Sequence, residues 1–126
     1  MVQSFRELTV WQRSMQLTLK VYKLTQAFPP EEQFGLSSQL RRSAVSIPSN
    51  IAEGQGRISQ SEFRQFLGIA RGSACEIQTQ LEIARALQFG DPKLIDQVEA
   101  LSNEVRKMLF GMLNSLKPSK SSSNRL

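Results

Sequence analysis

The stretch that decides the fold is Gln39–Gly54, which reads QLRRSAVSIPSNIAEG and carries a proline inside a helical pattern. Pro48 has no N–H to donate to the Ala44 carbonyl and its ring crowds that carbonyl, which inside a helix costs roughly 3 kcal/mol. The apolar positions nevertheless keep their spacing of four, four, three and four across the proline, at Leu36, Leu40, Ala44, Ile47 and Ile51. The pattern therefore predicts one helix from Leu36 to Gly54, kinked at Pro48, in which Ser43 or a neighbouring group satisfies the freed carbonyl.

A first helix is predicted ahead of this segment, from about Val10 to Ala27, with Thr9 as its N-cap. Two apolar stripes run along it side by side, which makes its apolar face wide. The second stripe consists of Trp11, Met15, Leu19 and Tyr22. The wide face predicts that this helix touches more than one neighbour.

Two more helices follow. The third begins at a capping box, in which the Ser59 hydroxyl and the Glu62 carboxylate bond each other's backbone N–H groups, and it ends at Phe89-Gly90. The fourth begins with Asp91 as N-cap and Pro92 at the first helical position, and it continues to about Leu116. Short connections between four helices predict an all-α, up-down-up-down antiparallel four-helix bundle over residues 1–116.

Charge is unevenly distributed along the chain. The 126 residues include 16 Lys or Arg and 11 Asp or Glu, a formal net charge of +5. Three of the basic residues lie in 117–126, KPSKSSSNRL, which has no apolar pattern and is expected to be a disordered basic tail. Residues 1–116 then hold 13 basic and the same 11 acidic residues, a net charge of only +2.

Several classes of function lack the residues they need. The chain has no histidine and a single cysteine, so a zinc site, a disulfide framework and a base for a serine nucleophile are all missing. No glycine-rich phosphate loop is present. We therefore expect no catalytic site, no cofactor and no metal. No run of 18 apolar residues exists and the first residues lack an apolar signal core, so we expect a cytoplasmic protein without membrane insertion.

The segment QLRRSAVSIPSNIAEG, followed by SEFRQFLGIARGSACE, resembles the bacterial four-helix-bundle proteins first noticed as reading frames in intervening sequences of 23S ribosomal RNA genes. The same family includes the accessory variability proteins of diversity-generating retroelements. The resemblance covers roughly Phe5 to Leu116. The residues that fit the family pattern are Pro48, Asn50, Glu53, Gly54, Gly72, Ser73 and Glu76.

This resemblance implies an assembly more than a reaction. Members of the family form homopentamers around a central axis, and the retroelement member is a basic scaffold that binds a reverse transcriptase and nucleic acid. The nearly balanced charge of residues 1–116 differs from that retroelement type. RNA, DNA, a reverse transcriptase or another protein are therefore expected as possible partners beside further copies of the chain itself.

Arginines supply the candidate nucleic-acid contacts. Arg64, Arg71 and Arg85 lie at steps of seven residues along the third helix, with Gln78 at the missing step, so they share one face. A row of guanidinium groups could follow phosphates, and a pentamer would repeat the row five times. The alternative is a solvated face that pairs with acids such as Glu82 or Glu99. The full candidate set is Arg41, Arg42, Arg57, Arg64, Arg71 and Arg85.

Two carboxylates stand out beside these arginines. Glu53 closes the second helix and Glu76 lies between Ile69 and Ile83 on a partly apolar face of the third. We interpret both as structural ion-pairing residues between helices or subunits. The alternative, a carboxylate pair for acid–base chemistry or metal binding, would be short of partners.

The sequence thus predicts a non-catalytic, homo-oligomeric helical bundle that serves as a nucleic-acid-associated scaffold, and the family resemblance implies that the oligomer is a pentamer. A purely structural or protein-binding oligomer without nucleic-acid affinity is the alternative. A small-molecule site at the oligomer axis is a third option, for which no ligand-specific motif is present.

Overall fold

The computed structural model of the protein describes residues 4–116, which fold into four α-helices. The helices are α1 (Thr9–Thr25), α2 (Leu36–Gln55), α3 (Gln60–Leu87) and α4 (Pro92–Ser115), with short 3-10 turns at Phe5–Glu7 and Pro30–Glu32. Each helix packs against the two beside it, in the order α1, α2, α3, α4 and back to α1. The predicted all-α four-helix bundle is confirmed, while the predicted tail at 117–126 lies outside the described residues.

The core is built from the stripes that the periodicity indicated. Leu17, Leu40, Ile47, Ile77 and Leu109 are completely buried, and each comes from the apolar stripe of its own helix. Burying a side chain of this size contributes about 1.5–3 kcal/mol, which is why the stripes fix how each helix is rotated about its axis.

Helix α2 runs without interruption through Pro48, as the unbroken apolar phase predicted. The Ala44 carbonyl, which the proline deprives of its helical donor, accepts a hydrogen bond from the Thr18 hydroxyl of α1 at 3.1 Å. Ser43, the group expected to help, instead accepts a bond from Gln80 of α3. The proline is therefore accommodated by the neighbouring helix, and the freed carbonyl joins α1 to α2.

Two of the predicted caps differ from the structure. Thr9 is the first residue of α1, not its N-cap; Leu8 takes that place and makes no side-chain bond to the helix. The preceding 3-10 turn carries a full capping box instead, between Ser4 and Glu7. At α3 only half of the predicted box forms, because the Ser59 hydroxyl accepts from the Glu62 N–H and also donates to the Glu62 carboxylate.

The remaining boundary signals are confirmed. Asp91 caps α4 by accepting from the Lys93 N–H at 3.0 Å, and Pro92 is the first residue of that helix. Gly54 allows the end of α2 to approach the start of α3, since a Cβ at this glycine would lie 2.9 Å from atoms of both Phe63 and Phe66. The helix ends thus fix the short α2–α3 and α3–α4 connections of the bundle.

Candidate nucleic-acid interface

The arginine row of α3 lies along the contact between α3 and α4. Every step of the row meets a residue of the antiparallel neighbour, so the row borders a helix–helix seam. The contacts are Arg64 with the Leu113 carbonyl, Arg71 with the Phe110 ring, Gln78 with Asn103, and Arg85 with Asp96.

Arg85 is surrounded by carboxylates, and we call this group the Arg85 cluster. Its guanidinium nitrogens lie 2.9 Å from Asp96, 2.7 Å from Glu99 and 3.6 Å from Glu82. The hydrogen bond to Asp96, aided by the negative charges of all three acids, raises the pKa of Arg85 against the opposing effect of desolvation. Because three acids face one cation, the cluster as a whole is negative and offers no attraction to a phosphate.

Arg57 is also held by acids. It pairs with Glu53 at 2.8 Å and lies 3.9 Å from Glu62, while its guanidinium stacks over the Phe66 ring. The Glu53 pair is local, four residues apart at the end of α2, and through Arg57 it is connected to Glu62 and Phe66 at the start of α3. Arg57 and Arg85 fit the alternative in which arginines pair with nearby acids.

Arg41 and Arg42 lie in a different environment, a groove of about 590 Å³ that we call the arginine–aromatic groove. Arg41 donates to the Thr25 hydroxyl at 2.7 Å, and its guanidinium stacks 4.8 Å above the centre of the Tyr22 ring. Both interactions hold the side chain without cancelling its charge. The groove is lined by Tyr22, Gln33, Phe34, Ser38, Arg41, Arg42, Val45 and Ser46, and none of these is acidic.

One wall of this groove is an unshielded aromatic ring. Phe34 follows the 3-10 turn ahead of α2, and 89% of its surface is exposed. An exposed ring beside two guanidinium groups is the combination that binds single-stranded nucleic acids, where bases stack on aromatic side chains and cations hold phosphates. The groove can therefore accommodate a planar group and an anion together.

Arg64 and Arg71 form an intermediate case. Neither makes an ion pair with a carboxylate among residues 4–116, since Arg64 donates to a backbone carbonyl and Arg71 lies 5.2 Å from the Phe110 ring centre. Both keep their charge, yet both are only half exposed in the seam. They can reinforce an electrostatic surface without forming a pocket of their own.

The two carboxylates singled out in the sequence lie apart. Glu53 is in its local pair with Arg57, whereas Glu76 lines a separate groove between α2 and α3 and makes no ion pair within the described part of the chain. The structure does not bring them together as an acid–base pair. No group of three or more potential metal ligands occurs among residues 4–116.

The second apolar stripe of α1 remains partly open. Leu19 is 65% exposed and Tyr22 is 38% exposed, while Trp11 and Met15 line a shallow groove over Pro48. Val45 of α2 extends the same surface. Helix α1 touches both α2 and α4, as its wide apolar face predicted, while Leu19 and Tyr22 of the second stripe remain uncovered within residues 4–116.

Comparison with known proteins agrees with the sequence pattern. Residues 6–111 match the family described as 23S rRNA-intervening sequence protein. The chain belongs to this family. Among solved structures, it is similar to a protein of unknown function from the S23 ribosomal protein family of Bacteroides thetaiotaomicron, with 25% identity and a TM-score of 0.75. That match covers 83% of this chain and 98% of the other.

No curated protein matches the sequence. Membership of the 23S rRNA-intervening sequence protein family does not by itself assign an activity to the chain. No helix within residues 4–116 has the length and apolarity needed to cross a membrane.

Sequence reasoning missed the aromatic side chains that line the groove with Arg41 and Arg42. Tyr22 belongs to the second apolar stripe of α1, and Phe34 lies in a connection without periodicity. The one available signal was Pro29-Pro30, which marks the connection between α1 and α2 in which Phe34 lies. Thr18 carried no signal, because a threonine within an amphipathic helix is commonplace.

Proposed function

We propose that the protein is a non-catalytic, homo-oligomeric helical scaffold that associates with single-stranded nucleic acid through the arginine–aromatic groove. The observation that carries this proposal is the groove itself, in which Arg41 and Arg42 face an exposed Phe34 ring without any lining carboxylate. A phosphate would bind the guanidinium groups, and an unpaired base would stack on the ring.

The structure narrows the set of candidate contacts. Arg57 and Arg85 are already paired with acids and are left out of the proposed contact set. Arg64 and Arg71 keep their charge and are proposed as secondary contacts that add to the attraction. The proposed contact set thus contains four arginines in place of six. Arg41 and Arg42 are the primary contacts, and Arg64 and Arg71 are the secondary ones.

Self-association is the second part of the proposal. Leu19 of α1 is exposed and belongs to the same stripe as Trp11 and Met15, which lie outside the arginine–aromatic groove, and a second copy that covered these three residues would remove their apolar surface from water. The pentamer implied by the family resemblance would repeat the groove five times, which multiplies the attraction between a chain of modest charge and a polyanion. A reverse transcriptase or other protein partner remains a prediction of the resemblance alone.

The test is binding of labelled single-stranded RNA and DNA, measured by fluorescence anisotropy at about 50 and about 200 mM salt. We expect micromolar binding at low salt that weakens as salt rises. Light scattering on the same sample should give the mass of an oligomer. Absence of binding at tens of micromolar protein at low salt would remove the nucleic-acid part of the proposal.

An oligomer without nucleic-acid affinity is the second candidate. Its support is that Arg13, Arg57 and Arg85 all pair with acids, so the charges of three arginines are already neutralised. An oligomeric mass together with no salt-dependent binding would favour this candidate. A monomer in light scattering would contradict both, and Leu19→Glu, which places a charge on an already exposed position, should dissociate the oligomer without unfolding the bundle.

A further inference from the structure

A second groove, between α2 and α3, shares Arg42 and Ser46 with the arginine–aromatic groove and adds a carboxylate and a buried amide that the proposed function does not use. It encloses about 340 Å³, and we call it the α2–α3 polar groove. All of its lining side chains are polar, although it lies at the seam of two packed helices where apolar contacts are usual. The lining residues are Gln39, Arg42, Ser43, Ser46, Ser73, Glu76 and Gln80.

Most of the polar groups in this groove bond one another. The Ser73 hydroxyl donates to the Ser46 hydroxyl at 2.8 Å, and the Asn50 amide donates to the same oxygen at 3.0 Å. The Gln80 amide nitrogen donates to the Ser43 hydroxyl at 3.1 Å. These bonds fix the side chains of the floor in one arrangement, which is what a preformed binding site requires.

One buried atom in the floor has no partner. Gln80 is only 8% exposed, and its amide oxygen makes no hydrogen bond to any described residue. Turning the amide by half a turn exchanges its two atoms and leaves the nitrogen unpaired instead, so either orientation leaves one amide atom unsatisfied. A buried polar group in this state is destabilising, and a bound polar molecule would relieve it.

Two opposite charges stand at the rim without partners. Arg42 and Glu76 both line the groove and both are exposed, yet within residues 4–116 neither forms an ion pair, with the other or with any other side chain. A ligand with a single positive charge would be repelled by Arg42, and a ligand with a single negative charge would be repelled by Glu76. A molecule that carries both charges, a short distance apart, would be attracted by both residues.

We propose that the α2–α3 polar groove binds a small zwitterion of the α-amino acid class. The carboxylate of the ligand would bind the Arg42 guanidinium, and its ammonium group would donate to Glu76. The Gln80 amide oxygen has almost no accessible surface, so it would accept from the ammonium group only after the Gln80 side chain turns toward the ligand. The serine hydroxyls would line the side-chain part of the site. A volume of about 340 Å³ equals that of roughly ten water molecules, which is ample for a free amino acid.

The test is thermal denaturation of the full-length protein with a panel of L-amino acids at about 10 mM, followed by calorimetric titration of the best one. At least one amino acid should raise the melting temperature by a few degrees and bind at one site per chain. Acetate and methylamine, which carry one charge each, should give no shift. Glycine betaine carries both charges but has no N–H for Glu76 and Gln80, so it should bind at least tenfold more weakly than glycine.

Two variants separate binding from folding. Glu76→Gln should weaken amino-acid binding at least tenfold without changing the melting temperature of the free protein. Gln80→Leu should abolish binding and at the same time raise that melting temperature, because the penalty of the buried, unsatisfied amide oxygen exceeds the contribution of the bond to Ser43 that is lost with it. A purely structural Gln80 would give a drop in stability instead. Thr79→Ala is the matched control on the exposed side of α3 and should change neither quantity.

Three outcomes would overturn the proposal. The first is a panel in which no amino acid shifts the melting temperature, which would mean that the groove holds solvent only. The second is equal binding of glycine and glycine betaine. The third is a change of oligomeric mass in Glu76→Gln, which would mean that a second copy occupies the groove. Arg42 lines both grooves, but amino-acid binding is measured in the absence of nucleic acid, so this proposal and the proposed function can fail independently of each other.

Discussion

Arginine side chains keep their charge available in the arginine–aromatic groove, whereas in the Arg85 cluster the charge of the arginine is cancelled by acids. In the groove, Arg41 is held by a hydroxyl and an aromatic ring, and Arg42 makes no ion pair within the described part of the chain. In the cluster, Arg85 faces Asp96, Glu99 and Glu82. A neutral partner fixes a guanidinium in space and leaves its charge available, whereas three carboxylates more than cancel it.

The difference teaches that the count of basic residues is a poor guide to an anion-binding surface. Both arginines were candidates of equal rank in the sequence, and each lies beside an apolar stripe of its helix. What separates them is the helix that packs opposite: α1 offers Arg41 a tyrosine and a threonine, and α4 offers Arg85 two acids.

The largest effect is expected from removing the charges of the groove. Arg41→Ala with Arg42→Ala should lower the affinity for single-stranded nucleic acid about 100-fold, since a hydrogen bond to a charged group is worth about 1.5 kcal/mol or roughly tenfold. The slope of log affinity against log salt should fall by about 1.4. Anisotropy titrations at several salt concentrations measure both. Arg85→Ala is the matched control, and an equal loss there would mean that the two regions do not differ.

The next prediction concerns the α1–α2 contact that borders the groove, at the hydrogen bond between the Thr18 hydroxyl and the Ala44 carbonyl. Thr18→Val removes the hydroxyl that satisfies the Ala44 carbonyl and should lower the free energy of unfolding by about 1–3 kcal/mol. In a Pro48→Ala background the backbone N–H at position 48 can take over, so the same change should cost less. Chemical denaturation of the four proteins in this double-mutant cycle measures the coupling. Additive effects would show that Thr18 does not compensate for the proline.

Phe34→Ala tests the aromatic wall of the groove. Stacking on one exposed face is expected to contribute about 1 kcal/mol, so the affinity for a single strand should drop roughly fivefold. The melting temperature should be unchanged, because 89% of the ring surface is exposed. Phe34→Tyr keeps a stacking surface and should restore the affinity. If both variants bind like the original protein, base stacking on this ring is absent.

The smallest effect is expected from an ion pair of the same kind as those in the Arg85 cluster. Arg13 binds Glu104 through two hydrogen bonds of 2.5 and 2.8 Å, and these lower the pKa of Glu104 from its ordinary value of 4.5. A lowered pKa means that the pair stabilises the fold above pH 4.5, and that this contribution is lost as the pH falls below it.

Melting curves between about pH 3 and pH 7 measure that loss. The original protein should melt slightly higher than Glu104→Gln at neutral pH, and the difference should vanish at the acid end of the range. Nucleic-acid affinity at neutral pH should be the same for both proteins. A difference in melting temperature that persists at the lowest pH would show that Glu104 contributes by packing and not by its charge.

The bundle could be predicted from the sequence because its determinants are local. Helix periodicity, the Asp91-Pro92 start of α4 and the unbroken phase across Pro48 are all properties of neighbouring residues. The cap predicted at Thr9 was wrong because Ser4 and Glu7 form an additional turn, and the chain between them is too short to show a period.

The candidate site could be predicted only in part. The sequence placed Arg64, Arg71 and Arg85 on one face of α3 and named Glu82 and Glu99 as alternative partners, but it could not tell which of the three arginines those acids would reach. It also gave no reason to join Arg41 with Phe34, since one lies in a helix and the other in a connection.

The sequence by itself determined that the chain forms four helices, where each begins and ends to within a few residues, and which stripe of each is buried. Those outcomes follow from the spacing of residues along the chain, and the sequence contains that spacing completely. Only the tertiary structure decided which arginines keep their charge, which hydroxyl satisfies the Ala44 carbonyl, and where the unpaired Gln80 amide lies. These depend on distances between side chains of different helices, and such distances are set when the helices pack.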